Sequence, residues 1–133
     1  MEQKPAELWK PVIKLRIERE STFLGPGSRQ LLSFIEETGS VRLASQRMNM
    51  SYSKAWKILN NMESQLGYQV LERRQGGRGG GETTLTAEGQ VLHQWFKNYE
   101  EECNQAVKAI FDRRIQELMN ELGDIAGKRD ETD

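Results

Sequence analysis

The chain has 133 residues, and its 19 Lys+Arg against 20 Asp+Glu give a formal net charge of −1. This length fits one compact domain plus an extension, and the near-neutral charge argues against a polycation that binds nucleic acid without specificity. The single cysteine, Cys103, and the single histidine, His93, exclude an intrachain disulfide and zinc sites of the usual kinds.

The sequence contains neither an apolar run long enough to span a membrane nor the apolar core of a signal peptide. It therefore predicts a soluble, cytoplasmic protein with no membrane partner. His93 is expected on a solvated helix face, and neither a metal nor another cofactor is expected.

The charge is distributed unevenly along the chain. Residues 29–85 hold 8 Lys+Arg and 5 Asp+Glu, whereas residues 86–133 hold 6 and 11. A basic middle followed by an acidic segment is typical of a nucleic-acid-binding core joined to a part with another task.

The first predicted element is a half-buried strand within Leu8–Glu20, where apolar and charged residues alternate. Pro11 has no N–H to give to a ladder, so the strand is expected to start there or to lie at a sheet edge. After the break at Gly25-Pro26-Gly27, a helix is predicted over Ser28–Glu37, with Ser28 as its N-cap and with its apolar face packed behind the elements that follow.

The stretch Gly39–Gly67 predicts two helices joined by a tight turn. Ser40 and Ser51 are suitable N-caps, Asn49 tolerates turn backbone angles, and Gly67 fits the position after a helix end. The apolar residues of both helices recur at spacings of three and four, which predicts buried stripes. They are Val41, Ala44 and Met48 in the first helix, and Ala55, Ile58, Leu59, Met62 and Leu66 in the second.

The opposite face of the second helix is rich in hydroxyls, amides and lysines, and no acidic residue occurs between Gly39 and Met62. Such donors bond to phosphates and base edges, so the pattern favours a recognition helix in a major groove. An ordinary amphipathic helix with a solvated face is the alternative. The predicted contacts near the bases are Ser53, Lys54, Trp56, Lys57 and Asn60, although Trp56 has the alternative of packing between helices. The predicted phosphate contacts are Arg42, Arg47, Ser51, Tyr52, Arg73, Arg74 and Arg78.

A β-hairpin is predicted next, with strands at Tyr68–Arg74 and Glu82–Leu85 around a glycine-rich tip. It would form the wing of a winged helix-turn-helix, and its glycines would permit close approach to a surface. A nucleotide-binding P-loop is the weaker interpretation, because a strand follows the glycines where a helix and a Lys-Ser/Thr pair would be needed.

The last predicted element is a helix capped by Thr86 that runs to about Leu122. Its apolar residues form a heptad seam too long for a small domain to cover, which predicts a homodimer interface. The seam residues are Leu92, Phe96, Tyr99, Cys103, Ala106 and Ile110, and the stripe then shifts to Val107, Phe111, Ile115, Leu118 and Leu122.

The sequence thus predicts a mainly α fold with a small β wing. A winged helix-turn-helix DNA-binding domain is expected at residues 8–85, a long dimerisation helix at 86–122 and a disordered tail at 123–133.

Two blocks carry a resemblance to a known family. The first is TGS…A…MNMSYSKAW…LNNME from Thr38 to Glu63, and the second is VLERRQGGRGGGETTLTAEG from Val70 to Gly89. Together they resemble the N-terminal DNA-binding domain of molybdate-responsive regulators of the ModE type and, more loosely, LysR-type winged helix domains. The resemblance implies binding to double-stranded operator DNA as a homodimer.

The resemblance also has a departure. Full-length regulators of this type carry C-terminal β-barrel modules that bind molybdate, and no strand-rich segment follows the long helix here. DNA binding and dimerisation are therefore expected to carry over and molybdate sensing is not, unless a separate molybdate-binding protein is a partner.

Two other classes of function compete with a DNA-binding regulator. A winged helix can serve as a protein-interaction module, and then the face with Lys54 and Lys57 would be dispensable. An enzyme is the weakest alternative, because the chain has no His-based acid/base pair, metal cluster or nucleophile elbow.

Overall fold

The computed structural model describes residues 8–74 and 81–132. The chain divides into two compact units, one of them Lys14–Glu100 and the other including residues 8–13 and 101–132. In chain order the elements are β1 Ile17–Glu18, β2 Thr22–Leu24, α1 Pro26–Thr38, α2 Val41–Arg47, α3 Tyr52–Leu66, β3 Leu71–Arg74, β4 Glu82–Leu85 and α4 Ala87–Thr132. Among these described helices, none is both long and apolar enough to cross a membrane.

The helix-turn-helix formed by α2 and α3 is confirmed, together with its predicted ends. The Ser40 side chain accepts a hydrogen bond from the Leu43 N–H at 3.1 Å, which caps α2. Asn49 in the turn has a φ of 53°, and Gly67 after α3 has a φ of 85°. Both residues therefore occupy the left-handed region that ends a helix sharply.

The predicted strand over Leu8–Glu20 is wrong for most of its length, because only Ile17–Glu18 is a strand. Its partner is the short strand β2, which the sequence analysis did not predict, and the pairing is antiparallel with Ile17 opposite Leu24. No strand pairs with residues 9–16 within the described ranges, and those residues have no regular secondary structure.

Helix α1 begins two residues before the predicted N-cap. Gly25 is the N-cap, Pro26 takes the first helical position, and Ser28 lies inside the first turn. The buried Ser28 Oγ accepts a hydrogen bond from the Gly25 N–H at 2.8 Å, so its hydroxyl serves the helix start from within.

One hydrophobic core lies within the unit Lys14–Glu100. It is built where α1, α2 and α3 pack together with the inner residues of both hairpins and the first turns of α4. The buried members are Leu24, Leu31, Leu32, Ile35, Val41, Ala44, Ala55, Leu59, Met62, Val70, Leu71, Leu85, Leu92 and Phe96.

This core corrects two predictions on α4. Leu92 is 8% exposed and Phe96 is 1% exposed, because both side chains pack into the domain to which they belong. They are therefore unavailable to a second copy. His93 is likewise not on a solvated face: its side chain is 16% exposed, and its Nε2 lies 2.9 Å from Ser33 Oγ on α1.

The wing is a two-stranded antiparallel hairpin, as predicted, with Leu71 opposite Leu85 and Arg74 opposite Glu82. Its first strand starts three residues later than the predicted Tyr68. A backbone hydrogen bond of 2.8 Å from the Thr83 N–H to the Gly39 carbonyl joins β4 to the end of α1. The glycine-rich tip lies outside the described residues.

The start of α4 approaches the start of the wing very closely. Thr86 caps α4 by accepting the Gly89 N–H at 3.0 Å, and its backbone N–H donates to the Val70 carbonyl at 2.9 Å. A Cβ built at Gly89 would lie 2.2 Å from the Val70 carbonyl oxygen. The glycine that ends the sequence Leu85-Thr86-Ala87-Glu88-Gly89 is therefore required for steric reasons, because only glycine fits this position.

Helix α4 ends at Thr132, so the predicted end at Leu122 and the predicted disordered tail are wrong. No proline interrupts this segment, and Gly123 and Gly127 each reduce helix propensity by only about 1 kcal/mol relative to alanine. In the unit that includes residues 101–132, Ile115 is buried and lines a cavity with Trp9. Aliphatic side chains remain exposed along the same stretch: Ile110, Leu118, Leu122 and Ile125.

The glycines of α4 supply a matched test of the close approach at Val70. Gly89→Ala should lower the free energy of unfolding by about 1–3 kcal/mol, because the added methyl group overpacks against a backbone carbonyl. Gly127→Ala is the control, since nothing lies within 4 Å of its added Cβ, and it should raise stability by up to about 1 kcal/mol. Urea unfolding followed by circular dichroism measures both, and equal effects of the two changes would contradict the steric explanation.

Candidate nucleic-acid interface

Helix α3 buries one face and leaves the predicted recognition face exposed. Its buried residues are Ala55, Leu59 and Met62, which lie on one stripe of the helix. On the other side, four predicted contacts are exposed, and their side chains have no hydrogen-bond or ion-pair partner among the described residues. They are Ser53, Lys54, Lys57 and Asn60. This face can therefore bond to a ligand without first breaking internal contacts.

Ser51 is the N-cap of α3, as predicted, and its phosphate contact stays a prediction. Its side chain accepts a hydrogen bond from the Lys54 N–H at 3.0 Å, which caps α3.

A continuous row of stacked side chains borders α3. The Arg42 guanidinium lies 4.9 Å from the ring centroid of Tyr52, and Tyr52 meets Trp56 edge-on with centroids 6.3 Å apart. The Arg73 guanidinium lies 4.0 Å from the centroid of the Trp56 ring. The row joins α2, α3 and β3, with Arg42 at one end and Arg73 at the other.

Trp56 serves as the platform for Arg73. Its indole N–H is buried and has no hydrogen-bond partner among the residues that the structure describes. The ring is half-buried and packs against the core. The alternative of packing between elements therefore describes this geometry better than a base contact through the indole N–H.

The remaining predicted phosphate contacts differ in their surroundings. Arg47 is already paired, with its Nη1 2.6 Å from a Glu37 carboxylate oxygen and its guanidinium 5.5 Å from the Phe34 ring centroid. Arg74 is exposed and, by strand alternation, lies on the opposite face of the hairpin from Arg73. Arg78 lies outside the described residues.

Sequence analysis missed the contribution of the β1–β2 hairpin to this region. The Asn61 amide donates to the Thr22 carbonyl at 3.0 Å, and the Gln65 carbonyl oxygen accepts from Arg19 at 3.3 Å. These bonds span 39 and 46 residues of sequence, so no local pattern could have revealed them. The hairpin is held against α3 beside the recognition face.

The predicted dimer residues outside the core are accessible. Tyr99 and Ile110 are 38% and 51% exposed, Ala106 is exposed, and Cys103 is half-buried. The dimer seam stays a prediction at these four positions.

Comparison with known proteins finds similarity to one family over the helix-turn-helix region. Residues 29–90 match the bacterial regulatory helix-turn-helix proteins of the lysR family. The transcriptional regulator ModE of Haemophilus influenzae is 30% identical over 97 residues, which are 73% of this chain and 38% of that protein. The dual regulator ModE of Escherichia coli K12, a DNA-binding transcriptional protein, is 33% identical over 78 residues, which are 59% of this chain and 30% of that protein.

The chain therefore spans about a third of the length of these curated relatives. Among solved structures, the BenM DNA-binding domain in complex with benA site 1 DNA is 23% identical, with a TM-score of 0.49 over 68% of this chain and 92% of that chain.

Alanine substitutions at two serines in the first turn of α3 test the capping role of Ser51. Ser51→Ala should lower the free energy of unfolding by about 1 kcal/mol, because the Lys54 N–H loses its acceptor. Ser53→Ala removes an exposed hydroxyl from the same turn and should change it by no more than about 0.5 kcal/mol. Urea titration of the two variants measures the difference, and an unchanged midpoint for Ser51→Ala would refute the capping role.

Proposed function

We propose that this chain is a transcription regulator that binds double-stranded operator DNA through α3, and the match of residues 29–90 to the bacterial regulatory helix-turn-helix proteins of the lysR family supports this. The observation that carries the proposal is the recognition face of α3. It is exposed, free of acidic residues and free of internal partners among the described residues, and it offers hydroxyl, amide and ammonium donors. These groups match the acceptors on base edges and phosphates in a major groove.

We assign different tasks to the residues around this face. Ser53, Lys54, Lys57 and Asn60 project from α3 and would meet the base edges or the phosphates nearest to them. Arg42 and Arg73, fixed on the rings of Tyr52 and Trp56, would hold the flanking phosphates. Aromatic stacking fixes a guanidinium without neutralising it, so both arginines keep the charge that attracts DNA.

We further propose that the regulator is a homodimer formed through α4. In the unit that includes residues 101–132, Ile110, Leu118, Leu122 and Ile125 are each 41–51% exposed. Their spacings of eight, four and three residues place them on one side of the helix. Soluble monomers rarely expose contiguous apolar surface of this kind, and the same face of a second copy would cover it.

The setting of this function follows from its ligand. Bacterial operator DNA lies in the cytoplasm, so we place the regulator there. The predicted separate molybdate-binding partner depends on the resemblance to ModE alone.

Removing the two lysines tests the recognition face. Lys54→Ala with Lys57→Ala should weaken binding to a duplex that the wild-type chain selects from a random pool. Each lost phosphate contact should also reduce the slope of log K against log salt by about one. The control is Lys97→Ala with Lys108→Ala, two exposed lysines of α4, which should leave both quantities unchanged. Undiminished affinity of the folded Lys54/Lys57 variant would favour the protein-interaction alternative.

A charge on the exposed aliphatic side of α4 tests the dimer. Ile110→Asp should produce a monomer, because burying an unpaired carboxylate in the interface costs several kcal/mol. Gln105→Asp adds a carboxylate to an exposed position elsewhere on the same turns and should leave the dimer intact. Sedimentation equilibrium distinguishes the two states, and a wild-type monomer at micromolar concentration would refute the proposal.

A further inference from the structure

A groove of about 620 Å³ opens beside the recognition face, between α3 and the β1–β2 hairpin. Three cationic side chains line it: Lys54 and Lys57 from α3, and Arg16 from the segment just before β1. The Arg16 side chain lies over Gly25, where a Cβ added to the glycine would be 3.6 Å from Arg16 Cγ. The sequence analysis assigned Arg16 only to the alternating strand pattern.

No carboxylate balances these charges. The groove is lined by neutral residues apart from its three cations. Glu18, in the same hairpin, accepts a hydrogen bond from the Thr22 hydroxyl at 2.7 Å and does not line the groove. Arg16, Lys54 and Lys57 have no ion-pair partner among the described residues, so the groove carries three uncompensated positive charges that attract an anion.

The position of Arg16 relative to α3 is fixed by bonds from the hairpin. Ser21 Oγ lies 3.3 Å from Asn61 Oδ1, and the Asn61 amide in turn donates to the Thr22 carbonyl at 3.0 Å. Leu15 and Ile17, on either side of Arg16, pack against the hydrophobic core. Arg16 is therefore carried on an anchored segment and not on a free arm.

We propose that Arg16 is a further DNA contact of this protein, and that it binds a backbone phosphate at the edge of the groove that α3 enters. The inference rests on the proposed function, because it requires α3 to lie on DNA. It goes beyond that function by extending the interface to a segment that precedes the family match at residues 29–90. A phosphodiester suits the site, since it brings one negative charge and acceptor oxygens to a groove lined by three cations.

The contact predicts a specific pattern in binding measurements. Arg16→Gln should reduce the slope of log K against log salt by about 0.9, the value for one lost phosphate contact. It should weaken binding by the same factor to the selected duplex and to a scrambled duplex of equal length, because a phosphate contact carries no sequence information. Arg16→Lys should restore most of the slope, since it keeps the charge.

Lys14→Gln is the matched control. It removes one cation two positions away from the same segment, and Lys14 is exposed and does not line the groove. Its slope should equal that of the wild type. Circular dichroism and urea unfolding of each variant confirm that the fold is retained before binding is compared.

The outcomes separate this inference from the proposed function. If Arg16→Gln binds with the wild-type slope while the Lys54/Lys57 variant loses slope, the contact at Arg16 is refuted and DNA binding through α3 stands. If Arg16→Gln and Lys14→Gln lose slope equally, the effect is one of overall charge and the specific contact is likewise refuted. If the wild-type chain binds neither duplex, both the inference and the proposed function fall.

Discussion

The close backbone approach between Val70 and Gly89 is the constraint on which the arrangement of this domain depends. The Val70 carbonyl accepts the Thr86 N–H, while the Val70 N–H donates to the Glu63 carboxylate near the end of α3 at 2.8 Å. One residue thus connects the recognition helix, the wing and the start of α4. Because a backbone carbonyl cannot move aside as a side chain can, the absence of a Cβ at Gly89 decides where all three meet.

The charge of the candidate DNA interface depends on which groups hold its arginines. Arg47 is neutralised by Glu37, whereas Arg42 and Arg73 lie over aromatic rings that fix them without cancelling their charge. Each such stacking contact contributes roughly 0.5–2 kcal/mol, enough to fix a side chain and too little to replace a phosphate. In the proposed complex, the domain would therefore meet DNA with these cations already in position, which would reduce the ordering cost of binding.

What the sequence could reveal depended on the distance over which each interaction acts. The caps at Ser40, Ser51 and Gly67 could be predicted because a cap is made by residues within one turn. The apolar period of α4 placed Leu92 and Phe96 in a seam between two copies, and this was wrong, because periodicity does not say what covers an apolar face and the domain itself covers these two side chains. The position of Arg16 beside α3 depends on bonds across 39 to 46 residues, which leave no trace in a local pattern.

The stacked arginines also set a limit on how this interface can change in evolution. A guanidinium is planar, so it lies flat on a ring and keeps its N–H donors at the edge, directed outward. A lysine at position 42 or 73 would keep the charge, but its compact ammonium group cannot stack flat on the ring, so the side chain would be more mobile. The interface therefore selects for the shape of the cation as well as its sign. In related chains that keep the aromatic partners, lysine is expected to replace Arg42 and Arg73 only rarely. Exchange between lysine and arginine is expected more often at positions 54 and 57, where no ring contacts the cation.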